Sequence, residues 1–158
     1  RDNWHRDAIG IDIRPTRREN FILADAQKRL PFDDDSVDRV FMYDVLEHMD
    51  APGYALKEVL RVLKPGHEVE IGTPNALYVG KVVMYALRGR YHPSFDHVFT
   101  YGEPELRQAL KRAGFSDVKV EHANYSSRQV LPLWQKAAVK LCPFGPLRHR
   151  ELRARARK

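Results

Sequence analysis

Tyr43, Asp44, Glu47 and His48 fall within six consecutive residues of the stretch LPFDDDSVDRVFMYDVLEHM, residues 30–49. A phenol, two carboxylates and an imidazole so close together can hold a polar ligand and move a proton. Histidine suits general-base work near neutral pH, which makes His48 one catalytic candidate. His97 is the second, in FDHVFTY, with Asp96 beside it and His92 nearby. The spacing of His92, Asp96 and His97 matches no standard metal-binding pattern, so no metal is expected from the sequence. Cys142 is the single cysteine, which excludes a disulfide within this chain, and it reads as packing.

Short apolar runs must carry these groups. AIGIDI (8–13), NFILAD (20–25), VDRVFMY (37–43) and HEVEIGTPN (67–75) are rich in Ile, Val and Phe and read as buried parallel strands. Polar side chains gather at their carboxyl ends: Asp12, Asp25, Asp44, Thr73 and Asn75. Ligands of open α/β sheets bind beyond that end of the strands. One such acid reads as a turn or cap, but three in succession read as a ligand rim.

Between the third and fourth runs, APGYALKEVLRVLKPG has Ala55, Leu56, Val59, Leu60 and Leu63 at helical spacing. Pro52 suits its start, and Pro65-Gly66 is expected to stop it. A strand, helix, strand order implies a right-handed parallel crossover. ALYVGKVVMYALRGRYH predicts a helix, HPSFDHVFTY a loop, and EPELRQALKRAGF a helix with Leu106 and Leu110 inward and Gly114 as its left-handed cap. SDVKVEHA alternates as a strand does. ELRARARK alternates too and reads as an edge strand, with Leu152, Ala154 and Ala156 on one face and the arginines solvated on the other. LPLWQKAAVKLCPFGPLRHR mixes apolar and basic residues; it reads as an amphipathic helix packed between the last two strands, the sharper reading being a membrane-surface helix.

The 158 residues suit a single domain over 1–158, with 43% hydrophobic and 30% charged residues. The formal net charge is +6, but Arg148 to Lys158 carries six basic residues against one Glu, so the remainder is nearly balanced. Charge confined to one terminal segment argues against a nucleic-acid partner. With no spanning apolar run and a polar start, a cytoplasmic location is expected.

The residues IGIDI, then ADAQKRLPFDDDSVDRVFMYDVLEHM, then LKEVLRVLKPGHEVEIGTPN occur together in an order that resembles the class I S-adenosylmethionine-dependent methyltransferases of the type 11 group. The resemblance spans residues 8 to 75, with a looser extension through DHVFTYGEPELRQALKRAGF. It implies an α/β, Rossmann-like methyltransferase fold, with a mostly parallel sheet, an antiparallel C-terminal hairpin and helices on both faces. It implies S-adenosyl-L-methionine as cofactor. Asp12 would hold the ribose hydroxyls, Ile13 would lie against adenine, Asp25 would take the adenine amino group, and Ala26 would offer its backbone amide. Tyr43 and Asp44 would border the methionine part. The family's glycine-rich loop would lie about 20 residues before Asp12, so the chain is expected to be truncated at its N-terminus.

The implied reaction is methyl transfer to a small-molecule, glycan or lipid-type acceptor, on oxygen, with peripheral membrane contact as an option. The cofactor supplies the chemistry while the protein aligns and desolvates the acceptor. The alternative is a non-catalytic methyltransferase-like binding or scaffold domain, including one seated at a membrane surface.

Overall fold

The computed structural model describes residues 8–88, 97–123 and 133–158. Its elements run β1 (Gly10–Asp12), β2 (Phe21–Leu23), β3 (Val37–Tyr43), α1 (Pro52–Val62), β4 (Leu63–Pro74), α2 (Val79–Arg88), α3 (Glu103–Ala113), β5 (Ser116–Ala123), α4 (Leu133–Leu141) and β6 (Glu151–Arg157), with 3-10 turns at Leu46–His48 and Gly145–Arg148. The strands form two sheets. β1 and β2 pair in parallel, and a four-stranded sheet has the order β3-β4-β6-β5. Within the latter, β3 and β4 are parallel and β6 runs antiparallel to both β4 and β5. This is the expected α/β architecture. β1 and β3 are not hydrogen-bonded to each other, so their edges do not close into one sheet.

The terminal strand corrects an expectation. ELRARARK is not an edge strand: β6 lies between β4 and β5 and is paired along both sides. Its alternation is as read, with Leu152, Ala154 and Ala156 buried. Alternation reports which face of a strand is covered. It says nothing about how many edges are paired, and the last strand in the chain is inserted between two earlier ones.

The register explains the sheet's two characters. Val69 is opposite Ala156, Ile71 opposite Ala154 and Thr73 opposite Leu152, which gives one apolar face. α1 and α3 pack on each other and share a core with that face, through Leu56, Val59, Leu106 and Leu110. The other face pairs Glu68 with Arg157 and Glu70 with Arg155. There Arg39 Nη2 lies 2.8 Å from Glu68 Oε1, and both Arg39 and Arg155 contact Glu70 Oε2, at 3.3 and 3.2 Å.

Helix boundaries follow local chemistry. Pro52 opens α1 at its first turn, where a missing N–H goes unneeded. α1 ends at Val62 and passes straight into β4, four residues before the expected strand start. Pro65 disfavours helical geometry at Lys64, so the helix stops ahead of the Pro-Gly pair. α3 ends as read: Gly114 adopts φ 109°, and Phe115 N–H donates to the Leu110 carbonyl at 3.2 Å.

The connection from β2 to β3 is held by α1. Arg61 donates from Nη2 to the Leu30 carbonyl at 3.1 Å and from Nη1 to the Phe32 carbonyl at 2.9 Å and to Asp34 Oδ1 at 2.6 Å. It also contacts Glu58 Oε2 at 2.9 Å, and that same oxygen accepts from Leu30 N–H at 3.0 Å. No helix among the described residues is long and apolar enough to cross a membrane.

Candidate functional site

The acids at the strand ends stand where the sequence puts them. Asp12 closes β1 and is exposed; its Oδ1 accepts from Arg14 N–H at 2.9 Å. The next side chain, Ile13, is apolar yet 67% exposed. Asp25 follows β2 and is half-buried, its Oδ1 accepting from Gln27 N–H at 2.9 Å. β1 and β2 pair with Asp12 opposite Leu23, which sets both carboxylates at one end of adjacent parallel strands. Ala26 packs against the edge of the main core.

Tyr43 closes β3, and its hydroxyl donates to Glu70 Oε1 at 2.6 Å. Burial, together with the hydrogen bond and charge of Glu70, pushes the phenol up to about 12. Its side chain is therefore committed to the charged face of the sheet. Asp44 comes next, exposed, with φ 51°. Aspartate tolerates that left-handed geometry better than most residues. Asp44 N–H donates to the Gly72 carbonyl at 3.0 Å, which extends the β3–β4 ladder by one bond and turns the chain into the LEH segment.

That segment forms the 3-10 turn. Leu46 is fully buried and anchors it. Glu47, one of the four clustered polar residues singled out in the sequence, is 1% exposed. Its Oε2 accepts from the Thr73 hydroxyl at 3.0 Å, while Oε1 has no hydrogen-bond partner among the described residues. Burial raises the Glu47 carboxyl above its ordinary range, and the charge of Asp44 adds to this. The Glu47 carbonyl accepts two further hydrogen bonds, from Val98 N–H at 2.8 Å and Phe99 N–H at 3.1 Å. This clip fixes the strand-like loop after residue 96 against the turn. It brings the His97 ring to 4.6 Å from that of His48, edge to face. One donor atom each from Glu47, His48 and His97 then lie within 4.8 Å of one another.

The two histidines, 49 positions apart in the chain, thus come together. His92 and Asp96 lie outside the described residues. Three more ionisable groups surround the cluster. Burial pulls the Lys81 ammonium down to about 8, an effect the nearby Glu47 charge partly offsets. Burial pushes Tyr101 up to about 12. Glu151 is buried with neither carboxylate oxygen hydrogen-bonded among the described residues, and burial raises its pKa. Sequence reasoning missed all three. Only Lys81 left a signal, as a cation three residues after buried Tyr78 and flanked by the apolar residues of α2. Asn75, by contrast, is structural: Nδ2 donates to the His149 carbonyl at 2.9 Å, and its own N–H donates to the Arg150 carbonyl at 2.8 Å.

Residues 3–69 match the family model described as a methyltransferase domain, of the type 11 group. A demethylmenaquinone methyltransferase of Clavibacter sepedonicus is 47% identical over 128 residues, covering 70% of this chain and 51% of that protein. The O-methyltransferase resE of Aspergillus sclerotiorum is 28% identical over 121 residues, covering 71% of this chain and 42% of that protein. The chain thus spans about half the length, or less, of these curated relatives. Among solved structures, a SAM-dependent methyltransferase from Archaeoglobus fulgidus superposes with a TM-score of 0.67 at 21% identity, over 95% of this chain and 75% of that one.

Proposed function

We propose that the chain belongs to the class I methyltransferases of the type 11 group, whose family model residues 3–69 match, and that it transfers the methyl group of S-adenosylmethionine to a small-molecule hydroxyl. The observation that carries this reading is the Glu47–His48–His97 cluster, whose first two members follow the carboxyl end of β3; Asp12 and Asp25 lie at the carboxyl end of the separate β1–β2 pair. The residues present fit the adenosine end of the cofactor. An exposed carboxylate at Asp12 can accept from ribose hydroxyls, and the bare apolar side chain of Ile13 offers a face for adenine. Asp25 and the backbone amide of Ala26 would take the ring's edge. Asp44 and Tyr43 would border the methionine part, with Tyr43 acting through its backbone and ring because its hydroxyl is engaged by Glu70.

When bound, the cofactor supplies an electrophilic methyl group. The chain's own residues align the acceptor and keep water out. His48 and His97 are the catalytic candidates, meeting the acceptor's hydroxyl through an imidazole nitrogen. The relative named as a demethylmenaquinone methyltransferase favours a ring-bearing acceptor, and the one named as an O-methyltransferase favours transfer to oxygen. α2 and α4 pack together and leave Tyr85, Leu87, Leu133 and Leu141 exposed, which supports an apolar acceptor or a peripheral membrane contact.

Calorimetric titration with S-adenosylhomocysteine and a methyl-transfer assay on phenol and hydroquinone acceptors test this reading. A charged hydrogen bond contributes roughly 1.5–3 kcal/mol, so Asp12→Ala should weaken binding roughly 10- to 150-fold. An affinity unchanged by that substitution removes Asp12 from the site, and product formed equally well by the His48→Ala/His97→Ala double variant removes the histidines.

A further inference from the structure

We propose that Glu47, His48 and His97 form a binding site for a divalent transition-metal ion of the zinc(II) type. Two imidazoles and one carboxylate are a donor set that borderline divalent ions favour, and three protein ligands leave a coordination position open. The three donor atoms lie within 4.8 Å of one another. Some point therefore lies no more than about 2.8 Å from each of them, against about 2.0–2.2 Å for zinc bound to nitrogen or oxygen. Side-chain rotations of under an ångström close that difference.

Two independent features mark this as a built site. The first is the Glu47 carboxylate itself. It is almost wholly buried, and its two oxygens are treated differently: Thr73 holds Oε2, and Oε1 has no partner among the described residues. A buried polar atom left unsatisfied carries a penalty, so one that persists calls for a ligand. A ligating carboxylate is ordinarily steadied by an outer hydrogen bond of the Thr73 kind. The second is the backbone clip. Val98 and Phe99 both donate to the Glu47 carbonyl, so the segment bearing His97 is tied to the residue that supplies the oxygen ligand. Two neighbouring ligands on the 3-10 turn and a third on a segment fastened to it give a preset triangle.

The inference rests on the proposed function only in one respect: it puts the ion's open position on the acceptor side, so that the acceptor oxygen meets the ion in place of a bare imidazole.

The test uses the whole chain, stripped with chelator and titrated calorimetrically with zinc(II) without cofactor or acceptor, followed by cobalt(II) substitution read by visible absorption. One equivalent should bind saturably and raise the melting temperature. Glu47→Gln, His48→Ala and His97→Ala should each weaken binding by about 100-fold or more, and Thr73→Val by about 10-fold. His122→Ala, in a separate histidine pair with His149, should leave binding unchanged. Thermal melts of the metal-free variants separate lost ligation from lost folding; if Glu47→Gln does not fold, His97→Ala decides. Wild-type affinity in His97→Ala, or no saturable binding by the parent chain, overturns the site. Zinc binding without methyl transfer would sink the proposed function and leave the site standing. Methyl transfer by a chain that binds no zinc would do the reverse.

Discussion

Arg61 shows how much one side chain can organise. Its guanidinium reaches two backbone carbonyls and two carboxylates, and so fastens residues 30–34 to α1. Removing it leaves Glu58 buried with its main partner gone. Losing one member of such a pair costs about 3 kcal/mol, so Arg61→Ala should lower the melting temperature by about 6–12 °C for a domain of this size. The same pair sets an acid response. Hydrogen bonds from Arg61 hold the Glu58 carboxyl below its ordinary 4.5, and burial opposes them less strongly. The stability this contributes is complete above that ordinary value and is lost as the pH falls through the depressed one. Melts run from neutral pH down to about pH 3 should therefore show a smaller acid loss in Arg61→Ala than in the parent. The strand-end acids were legible in the sequence because a polar residue after an apolar run marks a position by itself. Glu47 was legible as part of a polar cluster, but its burial and the hold of Thr73 on one oxygen were not, because Thr73 lies 26 positions away.

Among the elements, α3 could be read to the residue. Its inward leucines, its start and its cap are all local signals, and each is where the pattern puts it. Gly114 carries the cap at φ 109°, and a Cβ there would stand 2.9 Å from Leu60 Cδ2. Gly114→Ala should therefore cost at least about 1–2 kcal/mol, the penalty of the left-handed region for a residue with a side chain, measured by denaturant melts. An unchanged midpoint would show that the cap relaxes into another geometry. β6 was only half legible. Its apolar face follows from period-two alternation, whereas its interior place depends on β4 and β5, which no local pattern encodes.

At the scale of the whole molecule, β6 joins the parallel part of the main sheet to β5. Deleting residues 151–158 removes Leu152, Ala154 and Ala156 from the core and unpairs both neighbours at once. Burying a single large apolar side chain contributes about 1.5–3 kcal/mol, and total domain stability is only about 5–15 kcal/mol. The truncated chain should show no cooperative melt; a two-state transition near that of the parent would refute this account of the core.

The same placement bears on how the protein is made. A ribosome releases β5 well before β6, and residues 124–150 must emerge between them. Until then β5 has no strand to pair with in the native order, and β4 has only β3. β6 therefore reaches the sheet after both of its neighbours, and between the synthesis of β5 and that of β6 the nascent chain carries two open edges. Chains stalled at residue 150 should be clients for chaperones and easy prey for proteases, whereas those extended through β6 should resist digestion.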